Sequence, residues 1–349
     1  MGFIEDLKTE GDGAFHVIAE IGHNHQGSLE KCMALFDAAK RAGAHSVKLQ
    51  KRDNKSLYTP SVFNETYNST NAYADTYGAH REALEFGKDE YYALKKYAES
   101  LDIMFWSTAF DIPSVDFLVD VGIPAIKIAS GDIRSHHLQE YAASTGLPVV
   151  FSTGGATMLQ VQAAHDVVSA HTSEFAILQC IASYPAPFDQ LNLNVIPSYM
   201  QHFPDAVIGY SGHENGIAMS NVAYVLGARV IEKHFTLDRT MKGTDHAFSL
   251  EPEGMRKLVR DLERTRLAMG SSVKEPLDLE LPAVTKMAKK AVAARDLKAG
   301  EILHLSDIEF RSPGNGIAPD EAHRMYGRVL ARDVVCYEDL NFVDFISAD

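Results

Sequence analysis

Two histidines each close a short apolar run: His213 ends Gly209-Tyr-Ser-Gly-His, and His234 ends Val230-Ile-Glu-Lys-His. If these runs are neighbouring parallel strands, both imidazoles leave the sheet at the same end. Adjacent strands lie roughly 4.8 Å apart, so the pair can reach one divalent cation while leaving its other positions open, as a catalytic metal site requires. His23 and His25, in Ile21-Gly-His-Asn-His-Gln-Gly-Ser, are a competing pair. His213 and His234 are preferred because His234 lies within a run and His213 just past one, whereas His25 is placed to hydrogen-bond nearby backbone.

Two lysines also stand inside apolar runs, Lys48 in Val47-Lys-Leu-Gln and Lys127 in Ile126-Lys-Ile-Ala. An ammonium buried without a partner is costly, so each must meet an anion. One reading is an internal pair with Glu20 or Glu232. Two strand lysines, with Lys233 and a cation site nearby, favour an anionic ligand. Hydroxyl and backbone donors recur around them at Ser107-Thr108, Ser130-Gly131, Ser152-Thr153-Gly154-Gly155 and Ser211-Gly212. Three of these pair a hydroxyl with glycine where a helix is expected to start, and free N–H groups there attract anions.

The elements that must position these groups are eight apolar runs, at 15–21, 45–50, 103–108, 125–129, 148–153, 175–181, 206–211 and 230–235. Their near-continuous Val, Ile, Leu, Ala and Phe fit parallel strands covered on both faces. Amphipathic stretches such as 28–42, 88–100 and 215–226 lie between them. This alternation predicts an α/β fold, a (β/α)8 TIM barrel, with an open doubly wound sheet as the alternative. The barrel is favoured because the polar residues fall at or just past the C-terminal ends of the runs, where barrel active sites are built. An insertion at 52–85, rich in Asn, Ser, Thr and Tyr, follows the second strand and reads as a lid or an intersubunit loop. The barrel domain is assigned to residues 1–275, its last helix to 252–269, a linker to 276–288 and a small β-rich domain to 289–349.

Composition bounds the function. The chain has 349 residues, of which 46% are hydrophobic and 23% charged, which suffices for a sizeable core. Its formal charge of -14 argues against a general nucleic-acid binder, which needs a basic surface. No apolar run of about 18 residues occurs, and the N-terminus lacks a basic segment followed by an apolar one, so no membrane role and a cytoplasmic location are expected. Cys32, Cys180 and Cys336 are far apart and form no Cys-x-x-Cys spacing, which argues against disulfide or zinc frameworks. Cys180 reads as a buried strand residue.

Ala19-Glu-Ile-Gly-His-Asn-His-Gln-Gly-Ser, Val47-Lys-Leu-Gln, Ser107-Thr-Ala-Phe, Ile126-Lys-Ile-Ala-Ser-Gly-Asp, Ser152-Thr-Gly-Gly, Ile208-Gly-Tyr-Ser-Gly-His, Ile231-Glu-Lys-His-Phe-Thr-Leu-Asp and Lys242-Gly-Thr-Asp-His occur in this order. Together they resemble the nonulosonic (sialic) acid synthase family, transferases that condense phosphoenolpyruvate with an N-acylated hexosamine. The resemblance spans nearly the whole chain. Its C-terminal part, with Lys298-Ala-Gly-Glu and Pro313-Gly-Asn-Gly, looks like the family's antifreeze-like (SAF) domain.

The resemblance implies a phosphoenolpyruvate pocket of Lys48, Thr108, Lys127, Ser130, Ser152 and Ser211. It implies Mn2+ or Mg2+ on His213 and His234, with Glu20, Gln50, Tyr184 and Asp245 facing an open-chain sugar. It also implies a homodimer whose subunits exchange C-terminal domains. Asp132 ranks first as proton-transfer group, for its place between Lys127 and the fourth helix, and Glu20 second. Three residues depart from the bacterial pattern: Asp132 stands for the usual Glu, Ala182 for Asn, and Arg311-Ser-Pro-Gly-Asn-Gly for Arg-Pro-Gly-x-Gly. Arg311 substitutes for the family arginine at the acyl group if its loop shifts. Rival readings are another metal-dependent phosphoenolpyruvate-condensing or sugar-phosphate aldolase barrel, and a noncatalytic sugar-binding or ice-binding protein.

Overall fold

Strands that are apolar on both faces can be stable only where both faces are covered, and here they close on themselves. The fold is that of a computed structural model, which describes residues 3–9 and 13–346. Strands β1 (His16–Gly22), β2 (Ser46–Lys51), β3 (Met104–Ala109), β4 (Ile126–Ile128), β5 (Val149–Ser152), β6 (Phe175–Cys180), β7 (Val207–Gly212) and β8 (Val230–His234) form a closed parallel barrel. Pairing of β1 with both β2 and β8 rules out the open sheet. Most strands begin or end one residue later than the apolar runs, because pairing follows backbone partners rather than hydrophobicity. Close strand approach explains Gly209: a Cβ there would lie 2.5 Å from the Val230 carbonyl oxygen.

The helix Leu29–Arg41 starts at Ser28, whose hydroxyl accepts from the Lys31 amide, and Pro252–Met269 ends at Gly270. At the barrel's N-terminal end, helix Phe3–Thr9 packs Phe3 against His16 and Trp106, with ring centroids 4.7 and 5.7 Å apart. The insertion after β2 carries short helices Asn54–Leu57, Pro60–Phe63 and Tyr77–Glu82. Its tyrosines pack on one another: Tyr77 lies edge-on to Tyr58 and Tyr67, and Tyr67 and Tyr73 flank His80. Tyr73 Oη donates to the Lys242 carbonyl at 2.7 Å, and Asn71 accepts from the Gly243 amide at 3.1 Å. These bonds tie the insertion to the segment that follows β8.

The chain divides into two compact units, Met1–Gly270 and Ser271–Asp349. In the second, the stretch assigned as linker contains the helix Leu281–Met287. Strands β9 (Lys290–Ala293) and β10 (Ile308–Arg311) pair antiparallel. Leu297, Leu303, Ala322, Met325, Leu330, Val334 and Leu340 fill its core. This unit carries an internal repeat that the sequence reading did not register. Arg295 bonds Asp307 and Glu301, both at 2.9 Å, and Arg332 bonds Asp344 and Glu338 at 2.6 and 2.7 Å. Asp333 accepts from the Ala299 amide and Asp296 from the Cys336 amide, while Leu297 and Val334 bond each other's backbone in both directions.

Candidate active site

Strand alternation aims every second side chain into the barrel. Register then sets their heights: Glu20 pairs with both Lys48 and His234, Gln50 with Thr108, Thr108 with Lys127, and Ser211 with Glu232. The result is a cavity of about 280 Å³ at the C-terminal mouth. The lining includes Glu20, Lys48, Gln50, Thr108, Lys127, Ser130, Ser152, Tyr184, Ser211, His213, His234 and Asp245. The sequence-selected residues of the barrel therefore converge, with one exception.

The exception is Asp132, which lies outside this lining. It ends the turn Ser130–Asp132 after β4, where it accepts from the Ser135 hydroxyl at 3.0 Å and burial raises its pKa. The lining carboxylates are Glu20, Glu232 and Asp245. Arg311 belongs to the C-terminal unit, where Glu309 pairs with it at 2.7 Å and the Tyr337 ring lies 3.7 Å beneath it.

The buried lysines meet carboxylates of the chain, as the internal-pair reading held. Lys48 pairs closely with Glu20, lies 3.7 Å from Glu232, and donates to Thr108 Oγ1 at 2.9 Å. Lys127 lies 3.4 Å from Glu232, which also accepts from Ser211 at 3.0 Å. Burial alone would raise the Glu232 carboxyl, but Lys127, Lys48 and the Ser211 hydroxyl hold it down at about 2. Burial, reinforced by Lys48, lowers Lys127 against the pull of Glu232. Glu232 is thus the central residue that sequence reading left as a mere partner. Its signal was its place two residues before His234, on the same strand face.

Lys233 corrects a second expectation. Strand alternation turns it away from the cavity, where it pairs with Glu214 at 3.0 Å, and Tyr210 donates to the same carboxylate at 2.7 Å. It does not serve the anion pocket; the pair ties the residue after His213 to the residue before His234. The helix-start donors also differ from expectation. After Ser152 and Ser211 the helices begin only at Met158 and Ala218, because the chain first needs loops to turn out of the barrel. The Gly154 amide is taken by the Ser130 hydroxyl at 2.9 Å. Ser152 Oγ is buried without a hydrogen-bond partner and remains available to a ligand.

The imidazoles of His213 and His234 have ring centroids 5.4 Å apart. His213 Nδ1 sits 2.8 Å from the Ile181 carbonyl oxygen, so it carries the proton and leaves Nε2 as a lone-pair donor. Burial, then the neighbouring His234, lowers the His213 pKa to about 3, keeping it neutral. His234 Nδ1 is buried without a hydrogen-bond partner and lies 3.7 Å from Asp245. Among the described residues no group of three or more His, Cys, Asp or Glu is arranged to hold a metal. With Nδ1 of His234 unpartnered, the two imidazoles would suit an open site completed by oxygen atoms from outside the chain rather than a closed structural one. Tyr184 covers His213, with ring centroids 4.1 Å apart. The competing His25 accepts from the Gly27 amide at 3.1 Å and stacks on Phe86, while His23 faces Arg52 and Glu85.

Residues 35–274 match the NeuB family, and residues 290–335 match the SAF domain. The chain is 37% identical to the N-acetylneuraminate-9-phosphate synthase of Homo sapiens, over 89% of this chain and 87% of that protein. It is 35% identical to the N,N'-diacetyllegionaminic acid synthase of Legionella pneumophila, over 95% of each. The crystal structure of an N-acetylneuraminic acid synthetase from Leptospira borgpetersenii, in complex with citrate, superposes with a TM-score of 0.69 at 33% identity, covering 78% of this chain and 91% of that one. With a closed barrel, convergent lysines and histidines, and synthase relatives along most of its length, the chain is an enzyme that belongs to the NeuB family and carries a SAF domain.

Proposed function

We propose that this chain is a transferase that condenses phosphoenolpyruvate with an open-chain N-acylated hexosamine, N-acetylmannosamine or a related diacetamido sugar, to give a nine-carbon sialic-type acid and phosphate. The observation that carries this reading is one cavity holding Lys48, Lys127 and the unpartnered Ser152 hydroxyl beside the imidazoles of His213 and His234. A divalent cation, Mn2+ or Mg2+, held by His213 and His234 supplies Lewis acidity at the aldehyde oxygen.

Lys48 and Lys127, with Thr108, Ser130, Ser152 and Ser211, bind the phosphoenolpyruvate anion and fix its C3 over the aldehyde carbon. C3 attacks that carbon with the electrons of the C2=C3 bond, leaving an alkoxide that takes its proton from Glu20 once the adding water has supplied it. C2, left electron-poor, faces the Glu20 and Glu232 carboxylates. Water adds at C2 and gives its proton to Glu20, the lining carboxylate beside Lys48. The C2–O bond to phosphate then breaks, leaving a ketone, inorganic phosphate and the sugar acid. Gln50, Tyr184 and Asp245 orient the sugar. Two lysines against two glutamates leave the floor of the cavity electrically even, so tight anion binding calls for further positive charge, which supports the metal assignment.

The homodimer with exchanged C-terminal domains, Arg311 at the acyl group and a cytoplasmic location belong to the same reading. Among the described residues no helix is long and apolar enough to cross a membrane. Incubation with phosphoenolpyruvate, Mn2+ and a panel of N-acylated hexosamines should release phosphate with at least one. Oxygen-18 in the solvent should enter the product ketone and not the phosphate; no release with any sugar defeats the reading.

A further inference from the structure

The ion pair of Lys233 and Glu214 lies outside the cavity, yet its members are the chain neighbours of the two imidazoles. Glu214 follows His213, Lys233 precedes His234, and their side chains are 0% and 1% exposed. Two charges moved from water into a core regain in mutual attraction roughly what they lose in hydration, so an apolar pair of the same volume would hold the barrel at least as well. Stability alone does not account for such a pair. What it adds is a fixed position.

The β7–β8 ladder ends where that position is needed. Its last paired residues are Gly212 and Lys233, so His213 and Glu214 lie just past it. Lys233 Nζ donates to the Glu214 carbonyl oxygen at 2.7 Å and meets its carboxylate at 3.0 Å, a side-chain bridge from β8 to the chain beyond β7. Tyr210 Oη donates to the same carboxylate at 2.7 Å, which folds it back along β7. That fold requires glycine at 212, where a Cβ would lie 2.6 Å from both Glu214 Oε2 and the Tyr210 ring. Each histidine is also anchored separately: the His213 carbonyl accepts from the Ala186 amide at 3.1 Å, and the His234 carbonyl from the Leu250 amide at 2.7 Å. The Lys233–Glu214 bridge ties one anchored histidine to the other.

We infer that Glu214 and Lys233 are positioning residues for the metal, their bridge holding the imidazoles of His213 and His234 at the spacing that one divalent cation spans. The inference rests on the proposed two-imidazole site, but its test reads binding and not turnover. Partners that orient metal-holding side chains are worth about 10- to 100-fold in metal affinity. In titrations that follow free Mn2+ by electron paramagnetic resonance, Lys233→Met and Glu214→Gln should each weaken binding by about that factor.

The double change Glu214→Gln, Lys233→Met separates positioning from stability. It leaves no unpaired buried charge, so its urea midpoint should recover toward wild type, while its Mn2+ affinity should stay about 10-fold or more below wild type. Affinity that recovers together with the midpoint, or wild-type affinity in Lys233→Met, overturns the inference. Failure of the metal assignment would show differently, as wild-type protein that takes up no Mn2+ or that holds it equally well after His213→Ala, and the inference would fall with it.

Discussion

Replacing Glu232 by Gln should destabilise the barrel by a pH-dependent amount that the geometry sets. The Glu232 carboxyl is buried, with Lys127 at 3.4 Å, Lys48 at 3.7 Å and the Ser211 hydroxyl at 3.0 Å. Its pKa of about 2 lies below the ordinary 4.5. At about 1.4 kcal/mol per pKa unit, the ionised form contributes about 3 kcal/mol at neutral pH. A depressed carboxyl stabilises the fold above its unfolded pKa, and that stability is lost as pH falls through the folded pKa. The gap between wild type and Glu232→Gln should thus be full at pH 7 and narrower by about 1 kcal/mol at pH 3.5. Urea unfolding followed by fluorescence reads the right unit, because the chain's one tryptophan, Trp106, is buried in the barrel. A gap below about 1 kcal/mol at pH 7, or one that does not change with pH, would refute the reasoning.

His213→Ala and His234→Ala should each weaken Mn2+ binding by about 100-fold or more in a direct titration, since a two-imidazole site cannot lose half its protein donors; unchanged affinity in either would move the metal elsewhere. Lys127→Met should raise KM for phosphoenolpyruvate by about 10- to 100-fold, measured by initial rates of phosphate release, with an unchanged KM counting against the anion pocket. Arg311→Ala should raise KM for the acylated sugar while leaving that for phosphoenolpyruvate alone; equal values for the sugar would remove Arg311 from the site. Glu214→Gln leaves Lys233 buried without its carboxylate and should cost about 3 kcal/mol or more in the same urea assay, and the double change Glu214→Gln, Lys233→Met should recover part of that loss.

What could be read from the sequence was what strand period and apolar runs control. Lys48, Lys127, Ser211 and His234 all followed from residues that an apolar strand would not otherwise carry. The facing of Lys233 followed from the same period, since Glu232 and His234 point inward on either side of it, but charge alone grouped it with the wrong lysines. Asp132 stands beside the cavity lining rather than in it because a turn of three residues brings its carboxylate onto Ser135, a rotation that spacing does not encode. Arg81, which lines the cavity, was invisible for another reason. It reaches the mouth through an insertion whose path depends on tyrosine packing and on bonds to Lys242 and Gly243, distant in sequence.

The repeated arginine clasps of the C-terminal unit have a consequence for how that unit holds together. Each half caps a backbone amide of the other, Asp333 at Ala299 and Asp296 at Cys336, and Leu297 and Val334 close the joint in both directions. Each copy satisfies its own arginine but leaves one loop amide and the Leu297–Val334 backbone bonds to the other, so the halves complement each other rather than stack as two modules. Such reciprocity makes the joint, not either arm, the place where this small unit must come apart.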